Sequence, residues 1–168
     1  MHEHHADTAA TVQQLTFSLA GEEYGVDILA VREIRGWSRV TRIPQASAYM
    51  LGVLNLRGAI VPVLDLRLRF GLEREDYGDN TVMIVVAVAE RLFGIVVDAV
   101  SDVVDIDPAT VKPVPDMGAI VDTRYLKGLA THAERMVMLL DVEKLMRPED
   151  VETLDAALPA VREVEVAA

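Results

Sequence analysis

Residues 51–66 read LGVLNLRGAIVPVLDL, and residues 127–142 read KGLATHAERMVMLLDV. Set Gly52 on Gly128, and Tyr49 falls on Tyr125, Val53 on Leu129, Val61 on Val137, Leu64 on Leu140 and Asp65 on Asp141. Upstream, Gly25 set on Gly94 brings Leu19 onto Val88, Tyr24 onto Phe93, Val26 onto Ile95, Val31 onto Val100, Glu33 onto Asp102 and Ile34 onto Val103. The chain therefore contains one unit twice. The second copy has a longer connector, around Asp107–Val121, which holds Pro108, Pro113 and Pro115.

Each copy consists of short Val-, Ile- and Leu-rich runs broken by Gly, Asp, Asn and Pro, the pattern of strands and turns. With some five strands per copy, the repeat predicts two small β-barrels built alike. A unit this small buries little surface alone, so the two should pack on each other. A groove between them is a natural binding site.

Along the chain, residues 1–13 lack apolar periodicity and read as a flexible arm. Leu15–Leu19 alternates apolar and polar residues, as a half-buried strand should. Tyr24–Ile28, Gly52–Leu56, Ala59–Leu64, and residues 82–89, 92–97, 100–106 and 135–141 read as further strands. Leu29–Gly36 fits neither period. Gln45–Leu51 reads as a short helix, Asp65–Phe70 as a helical turn stopped by Gly71, and Glu73–Asn80 as a charged connector. A final helix is expected over 148–158, with Pro148 in its first turn, then a flexible tail over 159–168. The body of the chain, 14–158, is one domain, with subdomains of roughly 14–80 and 81–145 and the final helix.

Composition narrows the function. The 168 residues are 51% apolar, and the net charge is −11. That charge argues against nucleic acid, which requires a basic footprint, and against an anionic membrane surface. The longest apolar run, Val82–Ala89, is too short for a bilayer, which takes about 20 helical residues. No secretion signal is evident at the N-terminus. There is no cysteine, hence no disulfide framework and no thiolate chemistry. These features point to the cytoplasm.

The repeat also acts as an internal control. Gly52 and Asp65 recur in the second copy, so the fold requires them. Asn55-Leu56-Arg57-Gly58 does not recur; it aligns with Thr131-His132-Ala133-Glu134. The barrel can be built without Arg57 and Gly58. One reading is a solvated arginine beside a turn glycine. The other is a binding tip, because arginine is enriched at interface hot spots. The residues alone leave both open.

Several longer strings, LAGEEYGVDILAVREIRGW, VTRIP, YMLGVLNLRGAIVPVLDLRLRFG, DNTVMIV, FGIVVDAVSDVVDI and YLKGLA, closely resemble the CheW family of bacterial chemotaxis coupling proteins. The likeness runs from about Leu15 to Leu158. It implies a mainly β fold, two intertwined five-stranded SH3-like barrels with short helices and a C-terminal helix. It implies a non-catalytic adaptor, without metal or cofactor. Its partners would be the regulatory domain of a CheA-type histidine kinase and the cytoplasmic tip of methyl-accepting chemoreceptors, an antiparallel helical hairpin. The protein would be a monomer in isolation, would form arrays with its partners and would be recruited to membrane-associated receptor arrays without inserting into the membrane. By the same resemblance Val31, Glu33, Arg57 and Gly58 are receptor-binding, with Val82 and Met83 beside them. It assigns no residue to the kinase face. The alternative is a CheW-like regulatory paralogue in another kinase pathway.

Other candidates are weaker. His2, His4 and His5 lie in the arm without an ordered second shell, and His132 is isolated. None of the four serines, Ser18, Ser38, Ser47 and Ser101, sits in a GxSxG elbow. No phosphate-binding glycine loop is present. Asp98, Asp102, Asp105 and Asp107 stand among valines where a calcium loop would be polar, so alternating strand faces explain them better. Trp37 reads as a core anchor or, alternatively, as part of the interface rim.

Overall fold

The computed structural model of the protein describes residues 11–44, 46–73, 75–115 and 123–156. Ten strands dominate: β1 (Val12–Leu19), β2 (Glu22–Asp27), β3 (Val31–Gly36), β4 (Met50–Leu56), β5 (Ala59–Asp65), β6 (Val82–Val88), β7 (Arg91–Val97), β8 (Ala99–Ile106), β9 (Leu126–His132) and β10 (Arg135–Leu140). One helical turn, α1 (Leu66–Arg69), follows β5. A helix over 148–156, α2, ends the described chain.

The strands make two five-stranded sheets, β8-β1-β2-β10-β9 and β3-β6-β7-β5-β4. Each sheet curls into a small barrel. The chain leaving β3 returns to β4 through the bridge Thr41↔Val53, and the chain leaving β8 returns to β9 through Lys112↔Leu129. These sheets do not follow the sequence halves 14–80 and 81–145. The first barrel joins β1 and β2 of the first copy to β8, β9 and β10 of the second. The second barrel joins β6 and β7 to β3, β4 and β5. The parallel seams occupy matching places: β5 pairs with β7 through Val63↔Gly94, and β10 pairs with β2 through Leu139↔Gly25. Each copy thus lends its first two strands to the other copy's barrel.

Alternation places one set of side chains inside each barrel and the other between the barrels. Val104, Ile106, Ala130, Val137 and Leu139 fill the first barrel. Leu56, Val61 and Val85, with Val63, Met83 and Val96, fill the second. The largest cluster lies between them and draws Phe17, Tyr24, Val53, Ile84, Ile95 and Leu140 from both sheets. A run of rings crosses it, Phe17 to Tyr24 at 5.7 Å, Tyr24 to Phe70 at 5.6 Å and Phe70 to Tyr125 at 5.4 Å between centroids. Arg69 lays its guanidinium over both Tyr49 and Tyr125, 4.6 Å from each centroid.

The recurring residues have recurring jobs. Asp65 caps α1 by accepting from the Leu68 N–H, and Asp141 caps the 3-10 turn Val142–Lys144 by accepting from Glu143. The Asp65 N–H donates to the Tyr49 carbonyl at 2.8 Å, and that of Asp141 to the Tyr125 carbonyl at 2.7 Å. Gly52 passes so close to the chain leaving β3 that a Cβ would stand 2.2 Å from the Thr41 carbonyl oxygen. At Gly128 a Cβ would stand 2.5 Å from Val111 and 2.9 Å from the Lys112 oxygen.

Several expectations are corrected. Gln45–Leu51 is not a helix: Ser47 accepts from the Met50 N–H, and β4 already starts at Met50, because Tyr49 and Met50 are drawn into the central core; Gln45 itself lies outside the described residues. The arm is shorter than 1–13, since Val12 and Gln13 pair with Ile106 and Asp105. Tyr24–Ile28 stops at Asp27, whose side chain caps a 3-10 turn, Ile28–Ala30. That turn and a bulge between Val31 and Glu33 explain why Leu29–Gly36 fits neither period. Strand β9 was not read as a strand, although its counterpart β4 was. It carries Lys127 and His132 where β4 carries Leu51 and Leu56, and its pairing with β10 holds it. Helix α2 runs over 148–156, the last two residues expected in it lying outside the described chain, as do residues 1–10 and 159–168.

Candidate functional site

The β4–β5 turn is made by Arg57 and Gly58, with φ of 51° and 91°. Positive φ at both central residues suits the right-handed twist of a two-residue hairpin. The Asn55 Oδ1 accepts from the Gly58 N–H at 2.9 Å and closes the turn. From this tip the Arg57 guanidinium reaches Glu33 on β3, Nη2 to Oε2 at 3.0 Å. Arg35 stands on the other side of the same carboxylate at 3.7 Å. Arg57 is 78% exposed, whereas Glu33 is only 27% exposed, so the pair presents a cation backed by an anchored anion. Glu33 is opposite Val85 in the β3–β6 ladder, and Val85 packs with Leu56 and Val61 at the base of the turn. Barrel closure brings these residues together: β3 and β4 are the two edges of one sheet.

The aliphatic candidates lie on the other face. Val31 is opposite Val86, Ile34 opposite Ile84 and Gly36 opposite Val82. Val82, Ile84 and Val86 alternate on the face turned to the first barrel, where Val31 and Val82 are half-buried against the central core. The bulge at Arg32 separates Val31 from Glu33, which a regular strand would place on one face. Ile34 completes the strip. It is 46% exposed and was not singled out from sequence; its alternation with Glu33 and Arg35 was the available signal. The aliphatic strip and the charged pair thus lie on the two faces of β3, an edge strand of its sheet.

Met83 does not belong to this surface. It is 0% exposed and packs inside the second barrel with Val63 and Val96. Neighbours in a strand point to opposite faces, so Val82 and Met83 cannot both line one groove. Trp37, expected as a core anchor, is half-buried and packs on Tyr77 with 4.2 Å between ring centroids.

The first barrel carries no copy of the pair. Its matching turn is Ala133-Glu134, also at positive φ, and the residue matching Glu33, Asp102, accepts from the Val103 N–H. Two carboxylates elsewhere, Asp65 and Asp98, are committed to structure. A cleft between α1, β7 and the 75–81 connector is lined by Asp65, Arg67, Tyr77 and Asp98. There Asp65 accepts from the Leu68 N–H and the Tyr77 hydroxyl. Asp98 accepts from Arg67 at 2.8 and 2.6 Å and from the Ala20 N–H at 2.9 Å. Burial pushes the Asp98 carboxyl up, but these donors outweigh it and hold it below the usual range; Arg67 is raised by its bond to Asp98. Asp65, Arg67, Tyr77 and Asp98 are thus bonded to one another or to backbone, and hold the fold. Among the described residues, no three His, Asp or Glu side chains gather as a metal site, and no helix is long and apolar enough to cross a membrane.

The CheW-like domain family matches residues 13–150. The chain belongs to the CheW family. It is 46% identical over 141 residues to the chemotaxis protein CheW of Klebsiella aerogenes, covering 84% of this chain and 85% of that one. It is 36% identical over 138 residues to a probable chemotaxis protein CheW of Rhizobium etli, covering 82% and 89%. Its fold matches the crystal structure of the scaffolding protein TtCheW from Thermoanaerobacter tengcongensis, with a TM-score of 0.76 and 32% identity, covering 83% of this chain and 90% of that one. The two intertwined five-stranded barrels are thus the CheW fold. Within it the Glu33–Arg57 pair occupies the tip of only one barrel.

Proposed function

We propose that the protein is a non-catalytic chemotaxis scaffold that couples the regulatory domain of a CheA-type kinase to the helical tip of methyl-accepting chemoreceptors. It works from the cytoplasm, as a monomer that joins receptor arrays through these partners. A receptor helix lies along β3. Val31, Ile34 and Val82 form its apolar floor, while Glu33, Arg57 and Gly58 fix its register through polar contacts. The observation that carries this reading is the exposed Arg57, held at 3.0 Å by Glu33 from a turn the other barrel replaces.

Calorimetric titration tests it, using the purified kinase regulatory domain and, separately, a receptor-tip hairpin fused to a coiled coil, both from the host of this protein. Wild type binds each partner saturably. Arg57→Ala keeps its melting temperature and kinase binding, but loses receptor affinity about tenfold or more, as for a hot-spot arginine. Loss of kinase binding alone would move Arg57 to the kinase face. Failure of wild type to bind either partner would overturn the scaffold reading.

A further inference from the structure

Among the described residues, four hairpins close with two residues at positive φ: Ala20-Gly21, Arg57-Gly58, Ala89-Glu90 and Ala133-Glu134. Three of them place alanine first. Only the β4–β5 turn places a long cationic side chain there, in a region that residues other than Gly, Asn and Asp avoid. The same turn also has its own brace. Asn55, two residues ahead of Arg57, accepts from the Gly58 N–H at 2.9 Å. The matching places in the other turns hold Ser18, Ala87 and Thr131, and none makes that side-chain bond among the described residues. Asn55 is exposed, so its side chain is not needed to fill a core.

A two-residue turn without a brace rocks about its flanking bonds, and a guanidinium at the end of a flexible stem sweeps with it. Here the swing is held at both ends. Asn55 fixes the backbone from which Arg57 leaves, and Glu33 holds the guanidinium. Ordering the cation before binding removes an entropic cost from the complex. It also fixes the direction in which the planar fork meets an acceptor. We infer that Asn55 is a positioning residue, which acts through Arg57 and sets its aim at a hydrogen-bond acceptor on the partner helix. This rests on the reading of Arg57 as a receptor contact.

The test compares wild type, Asn55→Ala, Arg57→Ala, the double variant and Asn55→Asp, titrated with the receptor-tip hairpin and with the kinase regulatory domain. Asn55→Ala should weaken receptor-tip binding about fivefold, the scale of one hydrogen bond, with kinase binding and melting temperature unchanged. In the Arg57→Ala background the same substitution should do nothing further. Asn55→Asp should restore most of the binding, since a carboxylate oxygen can accept the same turn bond. An additive loss in the double variant would overturn the inference, because Asn55 would then act without Arg57. Failure of Asp to rescue would overturn it as well. If Arg57→Ala itself leaves receptor-tip binding unchanged, the underlying reading of Arg57 fails, an outcome distinct from failure of the Asn55 role.

Discussion

Arg67 holds Asp98 with two hydrogen bonds, from Nε at 2.8 Å and Nη2 at 2.6 Å. Asp98 also accepts from the Ala20 N–H, so α1 of one barrel is tied to the β1–β2 turn of the other. The Arg67 side chain is only 14% exposed. The contact therefore sets how the barrels sit across the groove.

That link predicts an acid dependence. The native Asp98 carboxyl titrates below its ordinary value of about 3.8. Its contribution is present above that value and is lost as pH falls through the depressed native one. Melting curves from pH 6 to 2 should show the loss in wild type, and a smaller one in Asp98→Asn. At neutral pH that variant should be less stable by about 1–2 kcal/mol, discounted for partial exposure. Parallel curves for the two proteins would contradict the assignment.

An alkaline counterpart sits at Tyr24, 1% exposed. Burial, with the Glu22 charge adding to it, pushes the phenol up to about 12. The unfolded chain ionises this group near pH 10. Stability is then complete below pH 10 and declines as pH rises toward 12. Ultraviolet difference titration should show a late phenol step from Tyr24. Tyr24→Phe should remove that step and part of the alkaline loss.

Glu90 and Glu134 occupy left-handed backbone, with φ of 68° and 66°. Glycine relieves that strain, so Glu90→Gly and Glu134→Gly should each stabilise by about 1 kcal/mol, after the entropy of the unfolded glycine. Denaturant midpoints measure this. A destabilised pair would mean that the glutamate side chains carry contacts of their own.

Gly52→Ala should be severely destabilising, about 3 kcal/mol or more, because its Cβ would meet the Thr41 oxygen at 2.2 Å and backbone cannot yield as a flexible side chain does. Gly36→Ala, with nothing within 4 Å, is the control and should change stability by about 0.5 kcal/mol or less. Chemical denaturation of both separates the clash from a general intolerance of glycine substitution.

Helix α2 is latched by the buried Asp150, which accepts from Ser47, Tyr49 and Arg147. Asp150→Ala leaves these donors without their acceptor and should cost about 2–3 kcal/mol. Hydrogen exchange should rise first over 147–156. Uniform exchange across the chain would show that the helix does not open on its own.

The pairs Gly52/Gly128 and Asp65/Asp141 were legible in the sequence because each does a local job twice, a close backbone approach or a cap. Arg57 stood out by the same comparison, through its absence from the second copy. Asn55 was visible only as part of its string; its bond to Gly58 depends on turn geometry.

From sequence alone come two like barrels, their capped turns and one tip unlike the other, since repeats, caps and turns are written in neighbouring residues. Tertiary structure decided that each copy completes its partner's barrel, that Met83 is buried while Val82 borders the groove, and that Val31 and Glu33 face opposite ways. Strand pairing is non-local, both faces of β6 are apolar, and in β3 the bulge between Val31 and Glu33 breaks the alternation. The sequence of these two strands therefore carries no label for which face is which, and only packing of the two sheets against each other assigns it.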